Sequence, residues 1–289
     1  DVCSSDLSGA GMNHRAAAAY ARAFDSSRPL HYEGAINRNW ITNHDLTDII
    51  CPMYPAITSI IKYAKSKKAD RPLIMCEYSH AMGNSNGTLA EYWDAIHSLR
   101  GLQGGFIWEM WDHGLDQTLE DGTVRSAYGG DYGEIKHDGN FVCDGIFFPD
   151  RSPKPALHEF KYLAAPVVIT SKNPKSGKFQ IFNKQFFRDI RDYKLRYEVT
   201  CNGKILHTGD VKIPAVKARK SASFSIPVAA LKSNNSFGER FVNFSMTLAL
   251  STPWAHPGHE VAWAQFPLPS KPLLDRKSTR LNSSHEWIS

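Results

Sequence analysis

Two short runs hold the residues best suited to chemistry. Glu77 ends the apolar run LIMCEY, and Tyr78, Ser79 and His80 follow at once. A carboxylate at the end of a strand, with hydroxyl and imidazole groups next to it, has donors to itself or to a substrate hydroxyl and can serve as nucleophile or general acid/base. Trp108 closes the run Gly105-Phe106-Ile107-Trp108, with Glu109 after it. An indole there either packs in a core or offers a flat apolar face for stacking. Tyr54, closing the run Ile49-Ile50-Cys51-Pro52-Met53-Tyr54, has the same two readings, and Tyr32-Glu33 stand at the end of Pro29-Leu30-His31-Tyr32.

These runs read as strands between amphipathic helices. Residues 10 to 24 are Ala-rich, with Met12, Ala16, Ala19 and Ala23 at helical spacing. Ile57, Ile60, Ile61 and Ala64 mark a second helix, and Leu89, Tyr92, Trp93, Ile96 and Leu99 a third. Four near-continuous apolar strands with helices between them imply a parallel sheet, either half of a (β/α)8 barrel or part of an open doubly wound sheet. No Gly-rich phosphate loop follows any of the four, which weighs against dinucleotide binding. In a barrel the polar and aromatic strand ends share one rim, and rim carboxylates in pairs are the layout of glycoside hydrolysis.

After an irregular stretch from Asp112 to Pro155 the pattern changes to strict alternation. Tyr193, Leu195, Tyr197 and Val199 interleave with Lys194, Arg196, Glu198 and Thr200, and Asn202-Gly203 marks a hairpin turn into Lys204–Gly209. Ser221 to Val228 reads as a further strand, and Val242, Phe244, Met246, Leu248 and Leu250 alternate again. A small β-sandwich follows the α/β part, with the boundary near Pro166.

The 289 residues fit two domains, and 42% hydrophobic with 22% charged residues describes a globular chain. The net charge of +5 forms no dense basic stripe, so nucleic-acid binding is not indicated. No run approaches the roughly 20 apolar residues of a membrane span. The five cysteines lack disulfide-scaffold or metal spacing and read as reduced cytoplasmic thiols, Cys51 and Cys76 as small buried residues. DVCSSDL at the start and DRKSTRLNSSH near the end match in-frame translations of a sequencing adapter. Residues 1–7 and 275–289 are therefore expected to be non-native tails.

CEYSHAMGNSNG, LQGGFIWEMWDHGL, SAYGGDYG and DGIFFPDRSPKPALHEFK resemble, in order, the catalytic-domain signatures of the large bacterial β-galactosidases of glycoside hydrolase family 2. The resemblance runs upstream through SGAGMNH, SRPLHYEG and DIICPMY and, more weakly, downstream to GHEVAWAQF. It implies an α/β plus all-β chain: residues 8–166 as the second half of a TIM barrel, residues 167–274 as an immunoglobulin-like β-sandwich. By the same resemblance Glu77 corresponds to the nucleophile of a retaining mechanism, His80 to a residue bonding galactose hydroxyls and Tyr54 to one that helps free the nucleophile. Trp108 corresponds to the rim Trp against the galactose edge, and Phe141 to a residue whose backbone oxygen binds sodium. Asp144 stands where the best-known relatives have Asn, placing a carboxylate beside that ion and the substrate.

The family's general acid/base is a Glu immediately before the SG of SGAGMNH, a position held here by Leu7 inside the first tail. We read this as truncation. The family's magnesium ligands include that Glu and otherwise lie upstream, so only a partial sodium site is expected here. The resemblance thus implies a fragment of a cytoplasmic, commonly homo-oligomeric hydrolase of terminal β-D-galactosides such as lactose, inactive by itself. The alternatives are a family relative preferring glucuronides or mannosides, and a non-catalytic carbohydrate-binding or scaffold module.

Overall fold

The computed structural model describes residues 9–36, 39–232 and 237–271. The two expected tails, Leu7 included, lie outside the described residues. The chain divides into two compact units, Asp1–Leu163 and Ala164–Ser289.

In the first unit, β1 (Leu73–Tyr78) is buried at five of its six positions, as a parallel strand covered on both faces must be. It pairs in parallel with β2 (Leu102–Ile107), with Met75 opposite Gly105 and Tyr78 opposite Ile107. Parallel strands need a long crossover, supplied here by α3 (Leu89–Ser98), which buries Leu89, Ala95 and Ile96. Gly105 is required at its position, because a Cβ there would lie 2.9 Å from the Cβ of Met75 and 3.0 Å from the Tyr78 ring. Two further helices cover this unit: α1 (Met12–Phe24) and α2 (Ile57–Ala64), the latter burying Ile60 and Tyr63.

Segment 49–54 runs parallel to the other edge of β1. Ile74 N–H donates to Ile50 O at 2.9 Å, Cys76 N–H to Pro52 O at 3.2 Å, and Tyr54 N–H to Glu77 O at 2.9 Å. Only two isolated bridges form, Ile50 to Leu73 and Met53 to Glu77. The strand expected at Pro29–Tyr32 is an extended segment without a ladder, followed by a 3₁₀ turn, Glu33–Ala35. Side chains take its donors instead: Leu30 N–H bonds Asp48 Oδ2 at 2.7 Å and Tyr32 N–H bonds Thr47 Oγ1 at 3.2 Å, while Pro29 has no N–H to give.

The stretch expected to be irregular contains a hairpin of β3 (Leu115–Thr118) and β4 (Val124–Ala127). After it, residues 144–147 lie beside residues 109–112. Glu109 N–H donates to Asp144 O at 2.8 Å, Ile146 N–H to Glu109 O at 2.9 Å and Phe147 N–H to Met110 O at 3.0 Å. The described residues of this unit do not close a barrel; α4 (Pro155–Ala164) ends it.

The second unit is a two-sheet sandwich. Strands β5 (Val167–Thr170), β6 (Lys178–Asn183) and β9 (Ser221–Ser225) form one sheet. The other has the order β11-β10-β7-β8, from β7 (Tyr193–Cys201), β8 (Lys204–Val211), β10 (Arg240–Leu248) and β11 (Glu260–Pro267). Asn202 and Gly203 both have positive φ, 49° and 79°, the geometry that lets a two-residue turn follow the twist of β7 and β8. The expected strand Ser221–Val228 stops at Ser225, because Pro227 cannot donate to a ladder and caps a helical turn, α5 (Val228–Leu231). Phe179, Phe224 and Phe266 surround the buried Phe244, with centroid distances of 4.7, 5.5 and 6.1 Å.

Among the described residues no helix is long and apolar enough to cross a membrane. Cys51, Cys76, Cys143 and Cys201 are free thiols.

Candidate active site

Glu77 is 7% exposed near the end of β1, so its carboxylate requires donors close by. The Tyr54 side chain lies beside it. Backbone pairing puts the two together, since Tyr54 follows the Met53–Glu77 bridge and its N–H donates to Glu77 O. Burial, followed by the neighbouring Glu77 carboxylate, holds the Tyr54 phenol far above its ordinary range, so it acts as a donor. Tyr54 itself has φ 46°, a left-handed conformation that bends the chain out of the parallel segment.

After Tyr78 the chain turns sharply at Ser79, φ 53°. The buried Asn86 fastens this turn, its Nδ2 donating to Ser79 O at 2.6 Å and to Ser79 Oγ at 3.3 Å. The turn brings His80 back over the strand end. Met82 N–H donates to His80 Nδ1 at 3.4 Å, which leaves the proton on Nε2, 3.6 Å from Asp144 Oδ2. The ring of Phe141 stacks on His80 at 5.6 Å, and the Tyr54 ring lies tilted 6.0 Å from the same imidazole.

Trp108 leaves β2 with its N–H bonded to Tyr78 O at 3.1 Å, and its carbonyl accepts from Ala81 N–H at 2.8 Å. Its indole Nε1 donates to Asp144 Oδ2 at 3.2 Å. Asp144, 4% exposed, thus bonds Trp108 through the same oxygen that lies 3.6 Å from His80 Nε2. Its second oxygen, Oδ1, is buried and meets no donor. An orphaned carboxylate oxygen of this kind suits a cation, the role the resemblance gives to sodium at Asp144 and the carbonyl of Phe141. The six candidate residues Tyr54, Glu77, His80, Trp108, Phe141 and Asp144 therefore form one connected cluster.

Asn86 and His113 were not singled out from the sequence, and Glu109 was noted there only as the residue after Trp108. Asn86 holds the His80 turn, while Glu109 and His113 adjoin Asp144, with Glu109 Oε1 and His113 Nε2 2.7 Å apart. Burial, then the neighbouring Asp144 carboxylate, raises the Glu109 carboxyl above its ordinary value. The Glu and His four apart in WEMWDH were the available signal. Cys51 and Cys76 sit behind the site; burial pushes Cys51 up to about 12 and Cys76 upward as well, so neither is a nucleophile at neutral pH.

A parallel α/β unit with a buried strand-end carboxylate, followed by a β-sandwich, is a layout found in carbohydrate-active hydrolases. Residues 4–169 match the family model for the glycosyl hydrolases family 2 TIM barrel domain, and residues 179–269 match that for beta-galactosidase, domain 4. The chain belongs to glycosyl hydrolase family 2. It is 36% identical over 274 residues to "Beta-galactosidase 2" of Enterobacter cloacae, covering 91% of this chain and 26% of that protein. "Beta-galactosidase" of Priestia megaterium is 36% identical over 266 residues, covering 91% and 25% respectively, and that of Klebsiella pneumoniae is 36% identical over 276 residues, covering 91% and 26%. The chain thus spans about a quarter of the length of the curated relatives it matches. Among solved structures, an engineered protein aligns with 91% of this chain and 59% of its own at 10% identity and a TM-score of 0.21, too loosely to define a fold.

Proposed function

We propose that this chain is the nucleophile-bearing part of a retaining β-galactosidase, its first unit the second half of a (β/α)8 barrel and its second unit an immunoglobulin-like sandwich. The observation that carries this reading is the buried Glu77 at its strand end, with Tyr54 beside it and Trp108 bonded to Asp144, whose same oxygen lies 3.6 Å from His80 Nε2. Glu77 attacks the anomeric carbon while an acid elsewhere in the complete polypeptide protonates the departing oxygen, the two carboxyls lying about 5 Å apart. Water then hydrolyses the glycosyl ester with retained configuration.

Tyr54 does two things in this scheme. Its O–H fixes the rotamer of Glu77 before attack and, during hydrolysis of the ester, stabilises the carboxylate as it leaves. His80 Nε2 is a donor for sugar hydroxyls, and Trp108 presents its ring to the sugar face while Asp144 holds its N–H. Sodium, when bound, would be held by the Asp144 carboxylate and the Phe141 carbonyl and would supply positive charge beside the sugar's 6-hydroxyl. Magnesium ligands are assigned to the complete enzyme outside this chain.

The test is a chimera in which residues 8–269 replace the matching segment of the Enterobacter cloacae relative. Hydrolysis of an aryl β-galactoside is expected, and Glu77→Gln is expected to lower kcat by roughly 1,000-fold or more, because the amide cannot form the ester. A Glu77→Gln chimera that keeps a tenth or more of the activity would refute the assignment.

A further inference from the structure

Glu109, His113 and Asp144 converge next to the proposed sugar site, and their ligand atoms lie within 4.8 Å of one another. Backbone pairing fixes all three: Glu109 N–H donates to Asp144 O at 2.8 Å, Ile146 N–H to Glu109 O at 2.9 Å, and His113 N–H to Val142 O at 2.9 Å. Gly145 N–H donates to Asp112 Oδ1 at 2.8 Å, which pins the residue next to Asp144. The ligand positions are therefore built into the framework. Asp144 is 4% exposed, Trp108 and His80 face only its Oδ2, and Oδ1 is buried without a donor. Two carboxylates sit together here, and one buried oxygen of each, Glu109 Oε1 and Asp144 Oδ1, has no well-formed hydrogen bond. Apart from the three ligands, the titratable and charged groups near the cluster are His80, Tyr54, Glu77, Cys143 and the ion pair of Lys154 with Asp112, 2.7 Å apart.

We propose that Glu109, His113 and Asp144 form a binding site for a divalent transition-metal ion of the zinc type. The donor set decides the class of metal. Two carboxylates give two negative charges, matching a dication, and an imidazole nitrogen selects zinc, cobalt or nickel over alkali and alkaline-earth ions. Metal–ligand bonds of about 2.0–2.1 Å in a tetrahedral site put ligand atoms about 3.3 Å apart. The observed separations, from 2.7 Å between Glu109 and His113 up to at most 4.8 Å, bracket that spacing. Three protein ligands leave a fourth position open to water or a substrate oxygen. The site shares only Asp144 with the sodium position, and binding does not depend on the proposed hydrolase activity.

The experiment is titration of the whole 289-residue chain with Co²⁺, followed by visible absorption and calorimetry, with and without sodium. One Co²⁺ per chain with ligand-field bands is expected. His113→Ala and Glu109→Gln are each expected to weaken binding about tenfold or more. The His113 side chain is 52% exposed, so its removal leaves the fold intact, which far-UV circular dichroism checks, and His113→Gln provides a second variant that retains polar bulk. Absence of saturable Co²⁺ binding, or binding that both His113 variants leave unchanged, would overturn the proposal; in the second case the ion sits on others of the chain's 12 histidines.

Discussion

His31 shows how a single residue can be legible in its place and not in its consequence. The sequence places it in an apolar run before Tyr32-Glu33, but not that the imidazole is 3% exposed with Nε2 3.2 Å from Ile74 O. Burial lowers its proton affinity below the ordinary value of 6.5, outweighing the bond to the carbonyl. The unfolded chain therefore takes up that proton first as pH falls. The contribution to stability is complete above 6.5 and is lost below it, with a slope of at most about 1.4 kcal/mol per pH unit. His31→Leu is expected to flatten this part of the stability–pH curve of the first unit. An unchanged acid limb in chemical denaturation would contradict it. Glu77, Tyr54, His80 and Trp108 were legible because each closes or closely follows an apolar run, whereas Asn86 and His113 lie in loops whose return to the site depends on the turn at Ser79 and on the pairing of residues 109–112 with 144–147.

At the level of elements, legibility followed periodicity. Helices α1, α2 and α3 and strands β7 and β10 have apolar positions at regular spacing, β1 and β2 are short apolar runs, β8 follows the Asn202-Gly203 turn, and all appear close to where the sequence puts them. β5 has four residues and β3 and β4 are mostly exposed, so their periodic signal is too short or too weak to read. The segment at Pro29 fails as a strand because Thr47 and Asp48 side chains, not a neighbouring strand, satisfy its backbone. β10 is the strongest element of the sandwich, pairing with both β7 and β11 and burying Arg240, Val242, Phe244, Met246 and Leu248 along one face. Phe244 stands at the centre of three aromatic rings. Phe244→Ala is expected to destabilise the second unit by about 3–5 kcal/mol, measured by denaturant unfolding. A loss under 1 kcal/mol would mean that the neighbouring phenylalanines close the gap.

For the molecule as a whole, the order of its parts was readable because the change from helix–strand alternation to strand alternation is abrupt, and two family models match on either side of it. The chain spans about a quarter of its curated relatives, and the mechanism proposed for it needs a proton donor that the resemblance assigns to the position of Leu7, outside the described residues. The isolated chain is therefore expected to show no hydrolysis of an aryl β-galactoside, while the chimera is active; turnover by the isolated chain that Glu77→Gln abolishes would contradict this. The most direct test of Glu77 as nucleophile uses the chimera and a 2-deoxy-2-fluoro-β-galactoside with a good leaving group, which lets the glycosyl ester form and slows its hydrolysis. Peptide mass spectrometry is expected to find the fluorosugar on the Glu77 carboxyl in one-to-one amount. Label on another residue, or continued hydrolysis of ordinary substrate with no trapped ester, would contradict it.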